Sequence, residues 1–204
     1  MMHPVSISDE SFHALLKIIE SVMVLSVKFK LALRGVLYET TFERDSRILQ
    51  SGRVQDTVWL LLTGLAREIR LDEHSFKERT SWFWLAGDFL CTSSSFFSRD
   101  ASERTIEILE RSRVVLISYQ DWHLLMDSFN ETELLTEKLR RSCDKARLQH
   151  AGEIKHLDTE SRYLSHRKLI EHLSTRTKQM FIADMMGMAP DTLGRLKRKY
   201  AGLR

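Results

Sequence analysis

The sequence predicts an α+β fold: a β-rich N-terminal domain of the jelly-roll or barrel type, a long helix, and a small helical C-terminal domain. Three observations support this prediction. Apolar residues recur at helical spacing over 9–34, short strand-like runs separated by turn signals fill 38–119, and helix formers dominate after Gln120. A chain of 204 residues can hold one good core and a smaller second unit, since domains usually have about 100–150 residues.

One or two leading helices are expected from Asp9 to about Arg34. Their apolar positions are Phe12, Leu15, Leu16, Ile19, Val22 and Met23. Six strands follow, with turn signals such as Thr63-Gly64 and Gly87-Asp88 between them. The predicted strands are Tyr38 to Phe42, Thr57 to Thr63, Leu65 to Leu71, Glu78 to Leu85, Thr105 to Leu109 and Val114 to Ser118. Many short strands with spaced turns are typical of a jelly roll or barrel.

A long helix is predicted over 129–157, between the β-domain at 1–128 and a helical unit at 158–204. Its apolar or small residues approximate a seven-residue repeat. The positions of this seam are Leu135, Leu139, Cys143, Ala146, Ile154 and Leu157. Such a helix can pair with the same helix of a second copy, which predicts a homodimer. His150 interrupts the seam, so packing of the helix on its own domain is the alternative.

The residues Gln179 to Arg198, QMFIADMMGMAPDTLGRLKR, have the spacing of a helix-turn-helix. Ala183 stands where two helices must cross closely. Gly187 suits the left-handed backbone just after the first helix. Pro190 is favourable in the first turn of the second helix, where its fixed φ is helical and its missing amide costs nothing.

The outer face of the second helix is predicted to contact DNA, because Leu193 and Leu196 turn the opposite face inward. The residues of this outer face are Asp191, Thr192, Arg195, Lys197, Arg198 and Lys199. Arg195 suits a bidentate contact with a guanine edge, and Asp191 can accept a hydrogen bond from cytosine. Thr192, Lys197, Arg198 and Lys199 suit contacts with the DNA phosphates.

The distribution of charge supports a polyanion partner. Residues 176–204 contain seven Lys or Arg and two Asp, a net charge of +5. The whole chain carries +3, so the remainder is −2. A basic end on a faintly acidic body favours binding to phosphates, because Lys and Arg release counterions from nucleic acid.

Several function classes are excluded. The start of the chain lacks a signal peptide and no stretch is apolar enough to cross a membrane, so we expect a cytoplasmic protein. Cys91 and Cys143 lack the short spacing of metal sites, and the histidines, among them His74, His123 and His150, are scattered. We therefore predict no metal site, no haem and no enzymatic activity.

Together these features resemble the Crp/Fnr family of transcription regulators over nearly the whole chain. The matching stretches, besides the C-terminal motif, are Val58 to Arg67 (VWLLLTGLAR), Ala86 to Leu90 (AGDFL), Glu103 to Leu109 (ERTIEIL) and Ser161 to Leu164 (SRYL). The resemblance implies a cyclic-nucleotide-binding-type jelly roll as sensor, a dimerisation helix, and a helix-turn-helix that binds double-stranded DNA. RNA polymerase is a further candidate partner.

The resemblance also implies where an effector would bind. Cyclic-AMP-binding members hold the ribose with a Gly-Glu pair and the cyclic phosphate with an Arg-Ser pair. Arg104-Thr105 is similar to the second pair, whereas the first pair falls at about Cys91-Thr92, in a Ser-rich loop without the carboxylate. Thr92, Arg104 and Thr105 are therefore the candidate effector residues, with an ion pair as the alternative role of Arg104. We expect no cyclic nucleotide and predict no cofactor.

Two comparisons with the family limit the prediction further. The iron-sulfur branch uses an N-terminal cysteine cluster, but no cysteine precedes Cys91. The sequence printed after the second helix of the motif is short, so any wing of strands is expected before the motif or in reduced form.

Two functions fit the sequence. The first is a dimeric, sequence-specific transcription regulator with an altered effector pocket. The alternative is a regulatory protein that senses a small anion and acts through protein partners without DNA binding. Truncation at about His172 would separate them, because only the first function needs the C-terminal motif.

Overall fold

The computed structural model describes residues 3–72 and 75–202. Its strands are β1 (Val5–Ser6), β2 (Tyr38–Phe42), β3 (Arg47–Leu49), β4 (Thr57–Thr63), β5 (Leu65–Leu71), β6 (Glu78–Leu85), β7 (Phe89–Leu90), β8 (Arg104–Ile108) and β9 (Ser112–Ser118). Its helices are α1 (Asp9–Glu20), α2 (Val27–Gly35), α3 (Ser93–Ser98), α4 (Tyr119–Ser128), α5 (Asn130–His156), α6 (Thr159–Ser165), α7 (Arg167–Ser174), α8 (Gln179–Met185) and α9 (Pro190–Tyr200). The predicted α+β class is confirmed. His74 lies outside the described residues.

The described strands form two antiparallel sheets. The five-stranded sheet has the order β1-β2-β9-β4-β7 and the four-stranded sheet has the order β3-β8-β5-β6. Both faces of each sheet are covered, and the residues of β4 show why. Trp59 and Leu61 join the core between the sheets, whereas Val58 and Leu60 pack against helices. Side chains alternate along a strand, so a strand covered on both faces has a continuous apolar run.

Helices cover the two sheets from opposite sides. The helices α1, α2 and α4 and the start of α5 pack on the five-stranded sheet around Phe29, Leu33 and Leu135. Serine caps fix where α1, α2 and α4 begin, since Ser8, Ser26 and Ser118 each accept a hydrogen bond from a backbone N–H in the first turn. The C-terminal helices cover the four-stranded sheet.

All six predicted strands are present, with shifts of at most two residues at β8 and β9. The expectation of a Ser-rich loop after Thr92 is wrong, because residues 93–98 form helix α3. The helical region after residue 119 is also interrupted. Phe129 adopts an extended conformation (φ −143°, ψ 114°) and separates α4 from α5. The strands β1, β3 and β7 have only two or three residues each, too few for an alternating pattern.

The seam predicted on α5 faces the chain itself at Leu135, Leu139 and Ile154, whereas its other members, Cys143, Ala146 and Leu157, are exposed. Leu135 is 1% exposed and Leu139 packs beside it in the N-terminal core. Ile154 packs near Gly187, with its Cδ1 atom 3.1 Å from the position of a Cβ added there. Leu135 and Leu139 therefore pack on the N-terminal domain, and Ile154 packs on the C-terminal unit. The exposed leucines of α5 are Leu134 and Leu148, one and two positions away from the seam residues Leu135 and Ala146.

Residues 158–202 form a helical unit that rests on the four-stranded sheet. Leu65, Phe83 and Leu109 of the β-domain share one apolar core with Ile170 and Ile182 of this unit. No strand occurs in this part of the described chain, so the structure provides no wing here. Within 3–72 and 75–202, no helix combines the length and apolar character that a membrane crossing requires.

Candidate nucleic-acid interface

The C-terminal motif has the geometry of a helix-turn-helix. Ala183 is fully buried between α8 and α9. Gly187 has φ +59°, and the N–H of Met188 donates to the Ala183 carbonyl at 3.0 Å, which closes the end of α8. Pro190 occupies the first position of α9. An alanine at position 187 would have to keep a left-handed backbone conformation that L-residues rarely adopt. Its methyl group would also crowd Ile154.

The outward face of α9 is polar and largely accessible. Asp191, Arg195 and Arg198 are exposed, whereas Thr192 and Lys197 are half-buried. A shallow groove between α8 and α9 is lined by Gln179, Asp191, Gly194, Lys197 and Arg198. The Gln179 amide donates to the Pro190 carbonyl at 2.8 Å, which ties the start of α8 to the start of α9.

Lys199 differs from the other predicted contact residues, because it is bound within the chain. Its ammonium group forms a 2.6 Å ion pair with Glu160 of α6. The hydrogen bond from Lys199 lowers the pKa of Glu160, and the same bond raises the pKa of Lys199. The hydroxyl of Tyr200 also contacts Glu160. Lys199 thus holds the end of α9 on α6, whereas Arg195 and Arg198 point into solvent.

Arg67 joins the helix-turn-helix to the β-domain. Its guanidinium forms a buried ion pair with Glu107 (2.5 Å) and donates to the Thr80 hydroxyl at 3.1 Å. The guanidinium carbon lies 3.5 Å from the ring centroid of Phe181 in α8. A cation and the aromatic ring face beneath it attract each other, and the attraction is stronger when both are shielded from water. The same arginine therefore stabilises the sheet and the docked helix.

Two further ion pairs fix the C-terminal unit to the sheet. Asp184 of α8 accepts from Arg79 at 2.9 Å and from the N–H of Thr80 at 3.3 Å. Arg176 contacts Glu110 and donates to the Gly64 carbonyl at 2.8 Å. Arg176 and Asp184 belong to the basic C-terminal segment, but both form ion pairs within the chain. Their partners lie more than 60 residues away in sequence, so no local pattern reveals them.

The candidate effector residues lie around an internal hydrogen-bond network. The buried Thr92 hydroxyl donates to the Gln55 side chain at 3.0 Å. The buried Thr105 hydroxyl accepts from the N–H of Ser51 at 3.1 Å. Arg104 is half-buried on β8. The two hydroxyls therefore already have partners within the chain.

An ion pair fills the space where α5 meets the interior of the β-domain. Arg147 of α5 forms a bidentate pair with Glu68 (2.9 and 3.1 Å), whose side chain is only 3% exposed. The guanidinium carbon also lies 5.2 Å from the ring of Trp82 and 5.7 Å from that of Trp84. Ser81 donates to Glu68 at 2.7 Å. The chain thus supplies its own cation and carboxylate at this contact.

The surroundings of the two cysteines disfavour their thiolate forms. Burial raises the pKa of Cys91 to about 12 and also raises the pKa of Cys143. A thiolate is the reactive form, so Cys91 is a poor nucleophile near neutral pH. Both cysteines line an apolar cavity of about 90 Å³ between α1, α3 and α5.

The structure also brings together three potential metal ligands that sequence analysis did not connect. Their donor atoms, one each from His150, Glu153 and His166, lie within 4.8 Å of one another. The His-x-x-Glu spacing on α5 places the first two on one face of the helix. The His-x-x-Glu spacing could have drawn attention to the first two ligands in the sequence. His166 lies between α6 and α7, and only the fold brings it next to His150 and Glu153.

Comparison with known proteins places this fold among those of Crp/Fnr regulators. No family model matches the sequence, and neither does any curated protein. Among solved structures, FixK2 from Bradyrhizobium japonicum is similar at 15% identity, covering 81% of this chain and 85% of that one, with a TM-score of 0.69. A chain from Eubacterium rectale described as a crp/fnr-family regulator has 17% identity, coverage of 87% and 84%, and a TM-score of 0.67.

A third similar structure is CLP of Xanthomonas campestris, described as a c-di-GMP-responsive global regulator. It has 16% identity, covers 86% of this chain and 92% of its own, and has a TM-score of 0.64. The shared fold is a cyclic-nucleotide-binding-type β-domain followed by a helical C-terminal unit. The resemblance seen in the sequence is therefore confirmed at the level of fold.

Proposed function

We propose that this chain is a sequence-specific, DNA-binding transcription regulator of the Crp/Fnr type that works as a homodimer in the cytoplasm. The observation that carries the proposal is the outward face of α9, which presents Arg195 and Arg198 to solvent on a helix-turn-helix scaffold. Other charged residues of the C-terminal unit, such as Arg176, Asp184 and Lys199, form ion pairs within the chain. The exposed cations of α9 are therefore available for a partner.

Recognition would follow the usual geometry of such motifs. The helix α9 enters the major groove, where Arg195 can donate two hydrogen bonds to guanine. Lys197 and Arg198 neutralise phosphates on the flanking backbone, with Thr192 as a neutral donor. Asp191 contacts a cytosine amino group at the start of the helix. Bound near a promoter, such a dimer would act on RNA polymerase and either activate or repress transcription.

The solvent face of α5 supports the dimer. Leu134 and Leu148 are 56% and 73% exposed and stand 14 residues apart, which is two heptads. Ala151 is exposed one turn beyond Leu148. Two helices pairing along this stripe would bury both leucines. A twofold axis between them would place the two copies of α9 on one side of the dimer, as a pseudo-palindromic site requires.

Replacing Arg195 with alanine is expected to weaken binding of the dimer to its preferred DNA site by about 2–6 kcal/mol, roughly 30-fold or more, because each protomer loses one bidentate base contact of about 1–3 kcal/mol. Fluorescence anisotropy with a labelled duplex measures this change. Lys28→Ala is the matched control, because Lys28 is an exposed cation on α2 and its removal changes the net charge equally. Equal losses in the two variants would contradict a base contact by Arg195.

The effector pocket is proposed to be altered, so that cyclic nucleotides do not bind. The supporting observations are the missing carboxylate near Thr92 and the Arg147–Glu68 pair that α5 inserts against the β-domain.

Cyclic AMP or cyclic GMP at 1 mM is therefore expected to leave the melting temperature unchanged. A ligand present at 100 times its Kd would stabilise the folded chain by about 2.7 kcal/mol, which thermal unfolding detects readily. A melting temperature that rises with nucleotide concentration would contradict the altered pocket.

A further inference from the structure

We infer that His150, Glu153 and His166 form a binding site for a divalent transition-metal ion at the junction between the long helix and the DNA-binding unit. Two imidazoles and one carboxylate are a common ligand set for such ions, Zn²⁺ among them. The donor atoms already lie within 4.8 Å of one another. A tetrahedral ion holds its ligand atoms about 3.4 Å apart, so the donor atoms would need to approach one another by about 1.4 Å at most.

The surroundings of the three side chains suit a bound cation. His150 contacts the Met185 carbonyl through Nε2 at 2.9 Å. A neutral imidazole that donates this hydrogen bond has Nδ1 as its lone-pair donor, and hydrogen bonds of this kind commonly orient metal-binding histidines. The Glu153 carboxylate accepts a hydrogen bond from the Gln149 side-chain amide at 2.9 Å, which helps to orient it.

The site has an opening and a defined position in the fold. The three side chains line a groove together with Trp82 of β6, Leu169 of α7 and Met185 of α8. The rings of His150 and His166 meet edge to face with centroids 5.6 Å apart, and His166 contacts Glu153 directly. All three side chains are partly exposed, so an ion can enter from solvent.

The location of the ligands gives the ion a structural consequence. His150 and Glu153 belong to α5, whereas His166 stands between α6 and α7. An ion held by all three would fix the C-terminal unit relative to the long helix. An effect of this ion on DNA affinity rests on the proposed function, whereas the binding of the ion itself does not.

The test is calorimetric titration of Zn²⁺ into the full, untagged chain without DNA, after treatment with a chelator. We expect one ion per chain, with affinity reduced about tenfold or more in Glu153→Gln and in His166→Gln. His13→Ala removes an exposed histidine of α1 and is expected to bind as the wild type does. Circular dichroism of the metal-free variants checks that each is folded, and glutamine preserves hydrogen-bonding capacity at both positions.

Two results would overturn the inference: a wild-type chain that binds no ion, or binding that Glu153→Gln and His166→Gln leave intact. Because these measurements contain no DNA, failure of DNA binding in a separate assay would leave a positive metal result standing. Conversely, a chain that binds DNA but takes up no metal ion would refute only the metal site.

Discussion

Replacing Arg67 with alanine is expected to lower the free energy of unfolding by about 3–5 kcal/mol, the usual cost of leaving one partner of a buried ion pair unpaired. Glu107, with a side chain 10% exposed, would keep only Arg47, at 3.4 Å. The substitution also removes the hydrogen bond to Thr80 and the cation beneath Phe181. Urea denaturation followed by circular dichroism measures the loss.

The control for Arg67→Ala is Arg70→Ala on the same strand. Arg70 is exposed, and removal of an exposed side chain usually changes stability by less than about 0.5 kcal/mol. The double variant Arg67→Met with Glu107→Gln removes both charges and is expected to recover much of the loss. A loss below about 1 kcal/mol for Arg67→Ala would show that the pair does not stabilise this interface.

DNA binding is expected to fall about 10²- to 10³-fold between 50 and 200 mM salt. Lys197 and Arg198, with Lys178 at the start of α8, give two or three cations per protomer for phosphate contacts. A dimer would then neutralise about four to six phosphates, and the slope of log K against log salt is about −0.9 for each. We therefore expect anisotropy titrations at several salt concentrations to give a slope of about −4 to −5.

The double variant Lys197→Ala with Arg198→Ala tests whether these side chains cause the salt dependence. It removes four predicted phosphate contacts per dimer, so the slope should become shallower by about 3 to 4. An unchanged slope would place the phosphate-binding cations elsewhere on the protein. A wild-type slope shallower than about −2 would argue against binding by the whole α9 face.

The elements of this fold were largely predictable because their patterns are local. The short runs that became β4 to β6, the turn signals between them such as Thr63-Gly64, and the spacing of Ala183, Gly187 and Pro190 each depend on residues a few positions apart. The same holds for the outward face of α9, which follows from the inward positions of Leu193 and Leu196. Where an element has two or three residues, as in β3 and β7, the pattern is too short to recognise.

The packing between units could not be predicted in the same way. The seam chosen on α5 combined Leu135, which packs in the N-terminal core, with Ile154, which packs near Gly187. Helical spacing identifies an apolar stripe, but it does not say which partner covers that stripe. The ligand cluster with His166 and the Arg67–Phe181 contact likewise join residues that only the folded chain brings together.

The docking of the C-terminal unit also changes how the alternative function must be tested. Truncation at about His172 would remove Ile182 and Leu193 and expose Leu65, Phe83 and Leu109 of the β-domain. Such a chain would lose stability whatever its function. Single substitutions on the solvent face of α9 separate the two functions better, because they leave this core intact.

The most direct test of DNA recognition is selection of bound sequences from a random pool of duplex DNA with the purified full chain. We expect enrichment of a pseudo-palindrome whose half-sites lie about 34 Å apart, one turn of the double helix. The enrichment should weaken in Arg195→Ala and persist in Lys28→Ala. A pool that remains random after repeated selection at low salt would contradict the assignment of this chain as a sequence-specific regulator.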